Sequence, residues 1–194
     1  MITMSETTGR YETSLAPDTL AFTQALMNTI GHARPPEGDD LLSDTAAAER
    51  WLLDACREWA GARAEEAPEL AMNELQLEIL HRTREQIRQA AEQPSGARAE
   101  LAPVRVSLDK GRVEIAPLGS GMEWVKSALS VEAIHAEARG ERNRLKLCRN
   151  NSCGVAFYDR SKNNSRVWHD VRTCGNTANS QRFRDRRSSG PKEA

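Results

Sequence analysis

Four side chains near the C-terminal end constrain the chain more tightly than anything else in it. Cys148 and Cys153 have four residues between them, and so do His169 and Cys174. Gly154 follows the second cysteine directly, and glycine there permits the positive φ that turns both sulfurs toward one point. Fifteen residues separate Cys153 from His169. Two close pairs divided by a loop are the spacing of a structural zinc site, here of Cys₃His type. Thiolate and imidazole suit that borderline-soft ion, and four protein ligands leave no position for an activated water. The predicted role of Zn²⁺, one per chain, is therefore structural rather than catalytic. Free thiols or a redox pair are the other reading of the cysteines, and the histidine at matching spacing favours the metal. A segment of about 40 residues with few large apolar side chains builds no adequate core alone. Metal binding supplies roughly 10–16 kcal/mol to such a module.

The same segment is strongly basic. The whole chain of 194 residues carries a net charge of −1. Residues 1–138 hold 13 Lys+Arg against 23 Asp+Glu, whereas residues 139–187 hold 13 against 4. Such a split points to an anionic partner for the basic part. The plainer reading is a solvated basic surface, or one docked on the acidic remainder. The composition, 39% hydrophobic and 28% charged, suits a packed soluble protein. No run reaches the length of a membrane span, and the N-terminus lacks the apolar stretch of a signal peptide. The expectation is a cytoplasmic protein with no membrane partner.

Upstream of the cysteine segment the pattern is mainly helical. Residues 1–16 read as a flexible tail, and residues 17–140 as one α+β domain. Asp18–Ile30 shows a helical face of Phe22, Leu26 and Ile30. Tandem prolines after His32 break the chain. Ser43, Asp44 and Thr45 cap a second helix with Leu52, Cys56 and Trp59 on one face. Pro68 suits the first turn of a third helix, with Met72, Leu75, Ile79, Thr83, Ile87 and Ala90 as its apolar stripe. Pro94–Ser95–Gly96 ends it. The period then changes to two: Val104, Val106 and Leu108, then Val113 and Ile115, flank Asp109–Lys110–Gly111, which predicts a β-hairpin. Two strands are marginal alone, so helices must cover one face. Ser120 and Glu123 form a capping box for a last helix running to about Ala138. His32, His81 and His135 read as solvated or packed, Cys56 as a small buried group, and Trp51, Trp59 and Trp124 as core. No phosphate loop or nucleophile–base motif stands out, so no catalytic residue is assigned and the chain reads as a non-enzyme.

Residues 141–187 form the expected zinc module. Val155, Phe157 and Tyr158 suggest a strand, Lys162–Ser165 a turn, and Arg166–Val167–Trp168 the returning strand. Phe157 and Trp168 would form a small apolar core beside the metal. The run after Cys174 suits a helix anchored by Phe183, giving a ββα-like module, and residues 188–194 read as disordered.

These residues resemble the CGNR zinc-finger family. The shared features are Cys148-x₄-Cys153-Gly154, then Phe157, Asp159 and Ser161, then Ser165–Arg166-x-Trp168, and finally Cys174–Gly175–Asn176, with the entry Arg144–Cys148. The upstream region is similar to the ABATE domain in its order of helices, hairpin and final helix. Two positions depart from the pattern. His169 stands where the family commonly has cysteine, which keeps the zinc chemistry and lowers the site's negative charge by one. Thr177 stands where the name motif ends in arginine, so a phosphate contact there is lost or moved to Arg182 or Arg184. The resemblance implies a bacterial transcription regulator whose finger binds double-stranded DNA.

On that reading Arg166, Arg172, Arg182, Arg184, Arg186 and Arg187 face phosphates. Asn176, Asn179 and Gln181 reach base edges if the last helix enters a major groove. A single small finger gives modest contact area, so a homodimer is expected. The N-terminal domain would then serve dimerisation or the sensing of a small-molecule effector. Two other classes remain: an RNA- or protein-binding module using the same basic face, and a small-metabolite enzyme tethered by the finger.

Overall fold

A computed structural model describes residues 2–31, 39–92, 100–150 and 152–177. The chain order is α1 (Met4–Gly9), α2 (Ala21–Met27), α3 (Thr45–Gly61), α4 (Glu74–Glu92), β1 (Val104–Asp109), β2 (Arg112–Pro117) and α5 (Gly121–Ala138). A 3-10 turn at Arg142–Arg144, β3 (Leu145–Leu147), β4 (Ala156–Tyr158) and a single π turn at Val171–Gly175 complete it. The class is α+β, as expected: a mainly helical body with a hairpin, then a small strand module beside a Cys/His cluster. No helix among the described residues is long and apolar enough to cross a membrane.

Residues 2–16 are not a loose tail. Thr3 and Glu6 form a reciprocal capping box that starts α1. Met4, Thr7, Thr8 and Tyr11 are buried, and the Trp51 indole donates to the Thr7 hydroxyl at 2.9 Å. The segment docks largely through polar atoms, so its sequence carries no apolar period to read. The second helix is shorter than its sequence suggested, Ala21–Met27 rather than Asp18–Ile30. Leu20 at its N-cap offers no side-chain acceptor. The missing cap comes from across the core. Glu132 of α5 accepts from Phe22 N at 3.0 Å, Thr23 N at 2.8 Å, the Thr23 hydroxyl at 2.7 Å and the Trp59 indole at 3.1 Å. These bonds satisfy N–H groups that a helix start leaves orphaned.

Helix α3 begins where the sequence places it, with Asp44 accepting from Ala47 N at 2.8 Å. Ala48, Trp51, Leu52, Ala55, Cys56 and Trp59 are its buried stripe. Burial pushes the Cys56 thiol up to about 12, as expected of an inert apolar site. Trp59 meets Trp124 of α5 edge to face at 5.4 Å.

Helix α4 departs from expectation at its start and on its inner face. Pro68 lies in an irregular stretch, and the helix begins after Asn73. Asn73 and Gln76 exchange two side-chain-to-backbone bonds of 2.9 Å, a capping box built from amides. The inward residues are Leu77, Leu80 and Arg84, whereas Leu75 is 66% exposed. The charge on Arg84 disguises that stripe. Its guanidinium pairs with both oxygens of Asp40 at 2.8 and 2.9 Å and donates to Thr29 at 3.0 Å, which makes its burial tolerable.

The hairpin turns through Lys110 (φ 48°) and Gly111 (φ 78°) between the facing pair Asp109 and Arg112, the two-residue turn that matches strand twist. Helices cover only its base, where Val104 and Ile115 pack on the core. Helix α5 starts after Ser120, but the Ser120 hydroxyl caps no N–H, so the expected Ser120–Glu123 box is not made.

In the zinc module β4 pairs antiparallel with β3, which precedes the first cysteine, and not with residues 166–168. The expected returning strand contributes one backbone-to-backbone bond, Arg149 N to Val167 O at 3.0 Å. The β3–β4 pair rests on the helical body. Leu145 and Ala156 share a core with Ala16, Leu20, Met27 and Ala136. The Asn28 amide accepts from Ala156 N and donates to Ala156 O, both at 2.9 Å. It thus stands in for a third strand at the edge of β4.

Candidate metal centre

Strand β3 delivers Cys148 at its end, and the chain then doubles back on itself. Cys148 N bonds Val155 O at 2.9 Å and Cys153 N bonds Asn150 O at 2.8 Å. Gly154 takes φ 69°, and a Cβ there would lie 3.0 Å from the Arg88 guanidinium. Arg88 itself donates to Gly154 O and Met27 O at 2.9 Å each, tying the turn to α2 and α4. The second ligand pair is shaped by Asp170. Its carboxylate caps Thr173 N at 2.7 Å, and its carbonyl receives Cys174 N and Gly175 N, both at 3.2 Å. Any side chain at Gly175 would press on Val171 at 3.3 Å and the Trp168 ring at 3.4 Å.

The four donor atoms of Cys148, Cys153, His169 and Cys174 lie within 4.8 Å of one another. Nδ1 of His169 is 3.4 Å from Cys153 Sγ and 3.7 Å from Cys174 Sγ. A tetrahedron with Zn–S near 2.3 Å and Zn–N near 2.0–2.1 Å has edges of roughly 3.5–3.8 Å. The donor set therefore fits one structural zinc, with Nδ1 as the ligating nitrogen. Cys148, His169 and Cys174 are buried and Cys153 partly so. Packed this closely, the thiols share protons. The contact with Cys153 holds the Cys148 thiol below its usual range, and the same contact, with burial, pushes Cys153 up. A bound cation replaces the remaining thiol protons, so affinity rises with pH.

Asp159 organises the loop between the ligand pairs. Its carboxylate accepts from Lys146 Nζ at 2.8 Å, Ser161 N at 2.9 Å and Arg166 N at 2.8 Å. Burial alone would raise this carboxyl, but those bonds outweigh it and hold it well below the usual range. Lys146 also donates to the carbonyls of Asn164 and Arg166 at 2.7 and 3.1 Å. Phe157 is buried beneath the Arg166 guanidinium, which sits 5.4 Å from its ring and donates to His169 O.

The outward basic groups are fewer than the charge count suggests. Arg144 is spent on the carbonyls of Asp159 and Ser161 at 2.9 Å. Arg160 reaches Leu15 O at 2.7 Å. Of the expected DNA-facing residues, Arg166 is engaged within the module, whereas Arg172 and Asn176 are exposed beside the second ligand pair. Asn179, Gln181, Arg182, Arg184, Arg186 and Arg187 lie outside the described residues. Thr177 turns its hydroxyl back onto Thr173 O at 2.6 Å. Sequence reasoning passed over Arg149 and Lys162, both exposed. The position of Arg149, directly after a ligand, was the available signal.

Comparison with family profiles accounts for nearly the whole described chain. The ABATE profile, described as "Putative stress-induced transcription regulator", matches residues 21–142. The chain belongs to the ABATE family. In this ABATE protein a second profile, the CGNR zinc finger, matches residues 144–187, the order in which the two were expected. Comparison with curated proteins finds no match. The finger's family motif now has a physical reading. Phe157, Asp159, Ser161 and Arg166 hold the loop that spaces the ligand pairs, and Gly175 leaves room for Trp168.

Proposed function

We propose that this ABATE protein is a cytoplasmic transcription regulator whose zinc finger binds double-stranded DNA. Its N-terminal domain would serve as the dimerising or effector-sensing part. The observation that carries the reading is that Arg149, Lys162 and Arg172 are exposed, whereas Arg144, Lys146, Arg160 and Arg166 are engaged by the protein's own acceptors. The sequence adds Arg182, Arg184, Arg186 and Arg187 shortly after Cys174. Exposed arginines and lysines on a rigid metal-held support bind phosphates and release counterions. Asn176, Asn179 and Gln181 are the residues assigned to base edges. Zinc in this role shapes the surface and takes no part in turnover, consistent with families of regulator and zinc-finger type.

Selection of duplexes from random DNA by the zinc-loaded chain tests this. One enriched sequence class is expected, with affinity falling steeply as salt rises. Replacing Arg182 and Arg184 by alanine should flatten the salt slope by roughly two units at most. Salt-steep binding with no enriched sequence would reduce the reading to general nucleic-acid affinity, and no binding would overturn it.

A further inference from the structure

The hairpin carries more apolar surface than its own helices cover. On one face its registered pairs are Leu108 with Val113, Val106 with Ile115 and Val104 with Pro117. The pair members at the base pack on the core. Toward the tip, Val106, Leu108 and Val113 are 62%, 72% and 66% exposed. Leu101 and Leu118, just outside the strands at the base, are exposed as well.

The outer edge of β1 has room for another strand, although Arg105 within it already meets Glu65 at 3.8 Å. Among the described residues its one strand partner is β2. Its register runs from Val104 to Asp109 without a bulge, and no proline interrupts it. Edges that must stay single usually carry such devices. Strand β2 ends in Pro117, which has no N–H to give.

The sequence of β1 is complementary to itself. Antiparallel pairing of two copies about Ser107 sets Arg105 against Asp109 on the polar face. The same register sets Val106 against Leu108 on the apolar face. A shift by one residue would bring apolar side chains opposite polar ones. A shift to Val106 as centre would lose the Arg–Asp pair. The matching arrangement of β2 about Val113 opposes only residues 112–114 within the strand. In the β1 pairing, moreover, each tip arrives beside the other copy's base, where helices already cover the apolar face. We propose that two copies of this chain join through β1 into a four-stranded antiparallel sheet, each hairpin tip covered by its partner's base. A two-fold pairing of this kind closes at two chains. The inference stands without the DNA reading.

Sedimentation equilibrium of the zinc-loaded full chain, without DNA, tests it. The mass of two chains is expected. Leu108→Asp should yield the mass of one chain, with zinc content and far-UV circular dichroism unchanged because the side chain is exposed. In a Glu65→Gln background, which removes the intrachain partner of Arg105, Arg105→Asp should weaken the dimer, and adding Asp109→Arg should restore it, since the pair is then reversed. A monomeric wild type would overturn the proposal. So would a dimer indifferent to Leu108→Asp or without the charge-swap rescue. A monomer that still selects a duplex would fail here and leave the DNA reading intact.

Discussion

Single residues hold this fold at points where no local pattern announces them. Glu132 sits on α5 among apolar neighbours, fully buried, and its carboxylate closes the start of α2 from 109 positions away along the chain. Burial raises its carboxyl, while Thr23, Phe22 and Arg63 pull the other way. Replacing it with alanine would orphan Phe22 N, Thr23 N and the Trp59 indole. At about 1–3 kcal/mol for each buried donor left unpaired, a loss of about 3 kcal/mol or more is expected. For a chain of this size the melting temperature should fall by roughly 6–12 °C. Thermal unfolding followed by circular dichroism measures it, and an unchanged midpoint would show that water replaces the cap at little cost. Arg84 and Asp159 are of the same kind. Each is a charged residue whose burial is made tolerable by a full set of partners. In a sequence, a charge at such a position reads as surface.

At the scale of elements, what was legible was local. The ligand spacings, the Asp44 cap, the hairpin and its turn, and the apolar faces of α3 and α5 all follow from residues within a few positions of each other. What was not legible depended on distant partners. Strand β4 takes β3 as its neighbour and Asn28 as its edge, and nothing in residues 155–168 encodes either. The start of α4 was carried by an Asn73–Gln76 box, a weaker signal than the proline upstream of it. Among the described residues the finger's own elements are a 3-10 turn, two three-residue strands and one π turn, too short to persist without a cross-link. Purified protein is therefore expected to hold about one zinc per chain, as four protein ligands imply. Cys174→Ala should fall well below that in metal analysis. Wild-type protein with no zinc and with Cys148, Cys153 and Cys174 freely titratable would remove the metal centre.

Across the whole molecule the finger and the helical body share one interior. Every residue of α2 is buried, and toward the finger it presents apolar Met27 and polar Gln24, followed by its C-cap Asn28. Gln24 donates to Ala156 O at 3.1 Å, and Asn28 meets both the N–H and the carbonyl of Ala156. Arg88, on α4, donates to the carbonyl of Gly154 directly after Cys153. The ligand-bearing turn and β4 thus complete the surface of α2 and α4, and loss of the metal is expected to be felt in the body. Chelation should lower the helical melting temperature of the full chain, by roughly 2–4 °C for each kcal/mol of coupling. Asn28→Ala probes the link directly. It leaves Ala156 N with no acceptor inside the interface, at a cost of about 1–3 kcal/mol. Because Asn28 touches no zinc ligand, a merely local effect would leave metal affinity unchanged. Coupling through β4 predicts instead that the variant releases zinc to a competing chelator at lower chelator concentration than wild type. Equal release, with the melting temperature lowered, would show that the body depends on Asn28 while the finger does not.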